Sequence, residues 1–274
     1  MGMRPGGAAV VAAILLVSGC SLRDTDGGRD HDPANQPGYS LPNTPGGNRD
    51  DDRDQDGRDD DRDDDRDRAE APDHVVTGDR GDLREATFAM IKGADVVVVR
   101  TVDLGGGLYR ISTPDDAKVA PSVHVDRDTV HAGLVGTDRP GPAVVTAELS
   151  DAVRWRVRLQ GGAAEERVDL TGGRVDAVEL TAGTGRAEVT LPAAAGTTRV
   201  VMSGGASQLL VRLTGTAPVR VRAGSGAGTV TVDDVTRSGV AAGSVFTPAG
   251  WPAATDRYDI DATAGVSTIV VDRR

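Results

Sequence analysis

Six short segments of the chain align on a shared glycine: KGADVVVV, GGAAEERVDL, AGTGRAEVTL, GGASQLLVRL, SGAGTVTV and AGVSTIVV. The markers are Gly93, Gly162, Gly183, Gly205, Gly226 and Gly265, and the middle intervals are 21, 22 and 21 residues. Six residues after each marker stands a valine: Val99, Val168, Val189, Val211, Val232 and Val271. Five before it stand Phe88, Val157, Val178, Val200, Val221 and Ile260; three before it stand Met90, Leu159, Leu180, Met202, Ala223 and Ala262. In the three middle repeats Leu170, Leu191 and Leu213 follow at the eighth place. Offsets of −5 and −3, then +6 and +8, each keep a period of two, the period of a strand with alternate side chains turned inward. The repeating unit is therefore strand, glycine corner, strand. VRWRVRLQ (153–160) shows the alternation cleanly, with Val153, Trp155, Val157 and Leu159 on one face and Arg154, Arg156 and Arg158 on the other. Glycine at the corner suits a tight bend or a positive φ that a Cβ would oppose.

A β pattern with a period near 21 predicts an all-β fold, a parallel β-solenoid in which coils of about 21 residues stack and equivalent side chains form ladders through the core. An antiparallel sandwich also has short strands and glycine turns, but it does not require the same residue at the same offset in each repeat. An aromatic content of only 3% suits a narrow core of stacked aliphatics. Residues 94–152 and 227–264 break the period and are expected to hold irregular coils or caps.

RWRVRLQGGAAEERVDLTGG, VELTAGTGRAEVTLP, VVMSGGASQLLVRL and DRYDIDATAGVSTIVV resemble the toast-rack solenoids of bacterial envelope proteins, the adhesin-type and cell-wall-active-antibiotic-response domains. The resemblance runs from about Glu85 to Arg274 and implies a non-enzymatic surface domain near a membrane. Its motifs are structural corners, so it speaks to fold more than to activity.

The net charge of −11 is unevenly placed. Through residue 79 there are 19 acidic and 9 basic side chains; from Arg80 onward there are 23 and 22. Neither part is basic, which argues against nucleic acid as a partner. From Arg49 to Arg68 the chain holds 12 Asp and 6 Arg. Such a segment cannot bury enough apolar surface to offset its ordering entropy, and is expected to be a disordered linker. A linker of about 58 residues would have a root-mean-square reach of ~40 Å. Within it, Asp52, Asp54, Asp56, Gly57, Asp60 and Asp63 fit the spacing of a calcium-binding loop. In a tract this rich in Asp the match carries little information, and no apolar residue flanks it. No metal site is assigned. The RGD at 80–82 is expected by chance about half a time in a chain of this composition.

The chain has a single cysteine, Cys20, which ends the run LLVSGC after a short apolar stretch, AAVVAAILLV (8–17). That stretch is too short to span a bilayer as a mature helix and has the anatomy of a secretory signal. LLVSGC closely resembles the lipobox of bacterial lipoproteins, which implies that Cys20 becomes the diacylglyceryl-bearing first mature residue. Two acyl chains would anchor stably. The expected organisation is a signal peptide over 1–19, lipidated Cys20 with its linker over 20–83, and the solenoid over 84–274. The expected place is the extracytoplasmic face of the plasma membrane, with the bilayer as partner through Cys20.

No catalytic constellation emerges. His31 and His74 lie in the arm; His124 and His131 flank VDRDTV and are expected to cap a hairpin or to pair with Asp126 and Asp128. Glycine runs such as GSGAG (224–228) precede strand patterns rather than a helix that could hold a phosphate. No catalytic residue and no cofactor are assigned. The expected role is a structural or interaction module whose partner is an envelope protein or a cell-wall polymer. One alternative is a polysaccharide binder or adhesin using an outward ladder such as Arg158, Glu179 and Arg222. Another is a polysaccharide-processing enzyme, which would need converging carboxylates.

Overall fold

The computed structural model describes residues 72–274, and every regular element in that range is a strand. Seven strand pairs build the stack: β2 (Glu85–Met90) with β3 (Ala94–Val102), β6 (Thr129–Gly136) with β7 (Val144–Ser150), β8 (Arg154–Leu159) with β9 (Ala163–Asp169), β10 (Arg174–Leu180) with β11 (Thr184–Leu191), β12 (Thr197–Met202) with β13 (Ala206–Leu213), β14 (Val219–Ala223) with β15 (Ala227–Val232), and β18 (Arg257–Ala262) with β19 (Val266–Arg273). In each pair the first strand joins a nine-stranded sheet and the second a ten-stranded sheet. Coil-to-coil pairing is parallel in both sheets. The fold is a parallel β-solenoid.

The columns read from the sequence are the ladders of the structure. Val99, Val168, Val189, Val211, Val271 and Val232 are successive register partners. Phe88, Val157, Val178, Val200, Ile260 and Val221 form the facing ladder, and Met90, Leu159, Leu180, Met202, Ala262 and Ala223 the one beside it. Nearly all of these side chains are fully buried. Stacked aliphatics fill the narrow space between the sheets, and burying each one is worth about 1.5–3 kcal/mol.

The stack does not follow chain order. From one end to the other the coils run β6/β7, β2/β3, β8/β9, β10/β11, β12/β13, β18/β19, β14/β15. The first and last coils of the chain thus sit one place in from the ends. Outside them, antiparallel strands close the sheets: β1 (Val75–Asp79), β4 (Gly107–Ser112) and β5 (Val119–Asp126) at one end, β16 (Val235–Val240) and β17 (Ser244–Phe246) at the other. The segments that broke the period therefore hold the caps β4, β5, β16 and β17 and one regular coil, β6/β7, beside strands of the coils already recognised. Val130 and Ala132 lie beside Phe88 and Met90, and Val145 and Ala147 beside Val97 and Val99. Ala132 and Val145 stand 13 residues apart where Met90 and Val97 stand 7 apart, so a longer corner hid this coil from a fixed period. β1 begins at Val75, ahead of the residue 84 at which the repeat texture starts; VVTGD is too short and too polar to read as part of it.

The corner glycines answer to two different demands. Among the markers only Gly205 and Gly226 have positive φ. At Gly93 and Gly162 the demand is stacking: a Cβ would lie 2.7 Å from the Gly162 carbonyl oxygen and 2.9 Å from that of Gly183. Neighbouring backbones approach too closely there for any side chain.

Candidate functional site

The outer faces come first, because the sequence offered them as binding ladders. Side chains at alternate positions project outward, and the coil spacing sets charges of adjacent coils side by side. Arg158 reaches Glu179 at 3.0 Å, and Arg222 reaches Asp261 at 3.8 Å. Arg156 pairs with Asp176, and Arg220 holds Asp259 through two hydrogen bonds of 2.9 and 2.6 Å. On the other sheet Arg100 binds Glu148 at 2.6 Å and Arg212 pairs with Glu188. Arg158, Glu179 and Arg222 do share one column, but each is engaged by a neighbour of opposite sign. These charges neutralise one another, while Arg154 and Arg199 on the nine-stranded sheet make no ion pair among the described residues.

Among the described residues, carboxylates do not converge into a reactive group. Among the described residues no three His, Cys, Asp or Glu side chains are placed to hold a metal. A small recess of about 200 Å³ contains Glu85, Asp128 and Asp176, but Arg154 and Arg156 stand among them and Arg156 is already bound to Asp176. His124 and His131 are register partners across the β5–β6 hairpin, their rings stacked with centroids 6.4 Å apart. They pair with each other rather than with Asp126 or Asp128. His74 lies beside β1, its Nδ1 2.8 Å from the Thr113 hydroxyl. RGD forms a tight turn after β1, with Gly81 at positive φ and the Leu83 N–H donating to the Arg80 carbonyl. Cys20, His31 and the Asp52–Asp63 spacing lie outside the described residues.

A recess with much apolar lining opens at the end of the stack formed by β14 to β17, as a cleft of about 600 Å³. Its floor is the last coil, Val219, Val230 and Val232, which no further coil covers. β16 and β17 form its walls. Val235 is the register partner of Val232, and Phe246 that of Val221, so both continue inner columns of the core. Val235 is nonetheless exposed, at 58%, because nothing packs beyond it, and Val245, the register partner of the outward Arg222, is 49% exposed. The column through Val97, Ala187, Leu209, Ile269 and Val230 ends at an arginine: Arg237 is the partner of Val230. Its guanidinium lies 5.3 Å from the centre of the Phe246 ring, bridging the two sheets across the mouth. Among the described residues Arg237 makes no ion pair.

Local sequence explains this shape. β15 and β16 are joined by Asp233-Asp234, both in the left-handed region at φ 45° and 67°, a two-residue hairpin turn that Asp tolerates better than most residues. Arg273 fastens the turn from the neighbouring coil, donating to the Asp233 carboxylate at 2.9 and 3.3 Å and to the Gly215 and Ala217 carbonyls at 3.0 Å. The segment after β17 turns away from the end. Trp251 lies between the guanidinium groups of Arg220 and Arg257, at 4.0 and 4.6 Å, and donates its indole N–H to the Tyr258 carbonyl at 2.7 Å. Arg220 points outward, so this loop covers an outer face and leaves the cleft open. At the opposite end, Leu108, Tyr109 and Ile111 of β4 are buried. There the Tyr109 ring fills the place a side chain at Gly78 would need.

A second residue escapes the sequence reading. Glu166 occupies the same inner column as Arg237, between Val97 and Ala187, and is 1% exposed. Neither carboxyl oxygen has a hydrogen-bond partner, and burial pushes its pKa up to about 8.

No protein-family model matches the chain, and no curated protein matches it. Among solved structures, a "putative cell adhesion protein" from Clostridium sporogenes is similar over 73% of this chain and 98% of its own, with a TM-score of 0.52 and 11% identity. Two further structures, each described as a "putative adhesin", come from Parabacteroides merdae and Bacteroides fragilis. They cover 73% and 72% of this chain and 96% of their own, at 8% and 12% identity, but their TM-scores of 0.21 and 0.20 carry no argument. At such identity the clostridial likeness establishes a shared solenoid fold and nothing finer.

Proposed function

We propose that this chain is a non-catalytic interaction module of a bacterial cell envelope, tethered at a lipidated Cys20 on the extracytoplasmic face and engaging its partner through the open end of the solenoid. The observation that carries this reading is the opposition of the two ends. β1 is the outermost strand of its sheet at one end and β16 at the other, so the chain enters the domain at the end away from the cleft. A tether on the entering side leaves the cleft free to meet something else. The outer ladders support the same choice, since the charges of Arg158, Glu179 and Arg222 are already satisfied by their neighbours. The clostridial protein's name agrees in class and adds no ligand. Two measurements test the reading on the full chain. Fractionation should place it with membranes and Cys20→Ala should release it or leave it unprocessed; unchanged retention with normal processing overturns the tether. Capture from solubilised envelope and wall fractions should be lost in Val235→Asp, a change at an exposed position; equal capture by both forms moves the binding surface to the outer faces.

A further inference from the structure

The chemistry of the cleft narrows what can fill it. We propose that the open end binds a single-chain amphipathic anion, its aliphatic body against Val232, Val235 and Phe246 and its carboxylate or phosphate head on Arg237. The proposal takes the site from the interaction-module reading and does not depend on the tether. A volume of about 600 Å³ is that of a small-molecule site. Its lining mixes valine, proline and Phe246 with Asp233, Arg237, Thr247 and Arg273, so it offers apolar contact to a hydrocarbon body and a cation to an anionic head. Orientation follows from where the charge stands. Arg237 is at the rim, at the end of a column that is otherwise mostly aliphatic, with one face of its guanidinium toward Phe246. Arg237 is exposed there, so an anionic head can reach it from solvent. The carboxylate nearest the cleft, Asp233, is held by two bonds from Arg273 and does not compete for Arg237. A second copy of this chain is a poorer occupant. A two-fold contact through this end would bring both copies of Arg237 into one interface, two like charges with no added counter-charge, since Asp233 is held by Arg273.

The test is calorimetric titration of the full chain with dodecanoate, dodecyl phosphate and the neutral dodecanol, below their aggregation concentrations. Both anions should bind one per chain, at least about tenfold more tightly than dodecanol. Arg237→Gln should remove that difference and Arg237→Lys should keep most of it. The apolar run at 8–17 is common to every variant, so the comparison between variants reads the cleft alone. Equal affinity for dodecanoate and dodecanol, or an affinity unchanged in Arg237→Gln, overturns the proposal. So does sedimentation of the native chain as a dimer that Val235→Asp dissociates. If Val235→Asp abolishes envelope capture while no amphiphile binds, the interaction reading survives and this ligand class is wrong.

Discussion

At the scale of single residues, Glu166 has the largest energetic consequence. Its carboxyl sits in an aliphatic column, and the inward side chains of the strands on either side and of the facing sheet are apolar: Val97 and Val99, Ala187 and Val189, Phe88, Val157 and Val178. No cation or second carboxyl faces it from within the core. The folded domain therefore keeps Glu166 protonated up to about pH 8, whereas the unfolded chain releases the proton near 4.5. The folded state binds the proton more tightly, so the contribution of Glu166 to stability is full below pH 4.5 and is lost as pH rises toward 8, by an amount on the order of a few kcal/mol. Melting temperatures from pH 5 to 8.5 should decline in the native chain and be flatter in Glu166→Gln. Glu166→Leu, which repeats the Leu209 of the same column, should be the more stable form at pH 8. Identical pH slopes in the native chain and Glu166→Gln would falsify this. The residue was within reach of the sequence: the offsets +6 and +8 are inward, so +4 is too. Its neighbour disguised it, because in Glu165-Glu166 the two acids look alike and only the first, bonded to Arg167, is on the outer face.

At the scale of the element, the corner determines how closely coils can stack. The six marker glycines look equivalent in sequence, yet their surroundings differ. Gly162→Ala would place a methyl group 2.9 Å from the Gly183 carbonyl, and the coils must part to admit it. At Gly265 an added Cβ meets nothing within 4 Å. The first substitution should cost about 1–3 kcal/mol and the second less than about 0.5 kcal/mol, read from denaturant melts of the two variants. Equal losses would mean that the corners need glycine for its backbone freedom after all. Strand positions, inward faces and the four columns were readable because a period of two and a fixed interval are properties of the sequence itself. The β6/β7 coil was not, since its lengthened corner leaves the inward residues in place in space but displaces them in number.

At the scale of the whole molecule, the order of the coils was unreadable for a physical reason. Every coil presents the same inward columns, so the sequence pattern is satisfied by any stacking order. The structure selects one in which β18/β19 lies between β12/β13 and β14/β15. The open cleft was hidden likewise, because Arg237 and Val235 become an end only once nothing stacks beyond them. Removing residues 257–274 should therefore do more than trim an edge. It takes out an interior coil and strips β14 and β15 of their only parallel partners. The shortened chain should lose its cooperative thermal transition and expose 214–250 to protease. Survival of that region as a protected unit would show that the end cap is autonomous.

The inserted coil also imposes a timetable. A solenoid stacked in chain order can grow on its nascent end, each new turn docking on the one before. Here β14 to β17 leave the ribosome or the secretion channel before the surface they must rest on exists. They have to be held aside, or dock on β12/β13 and then yield, until residues 257–273 arrive and take the place between. Completion of the cleft is thus tied to delivery of the last strand, and a chain interrupted short of it would carry every lining residue but Arg273 without forming the site.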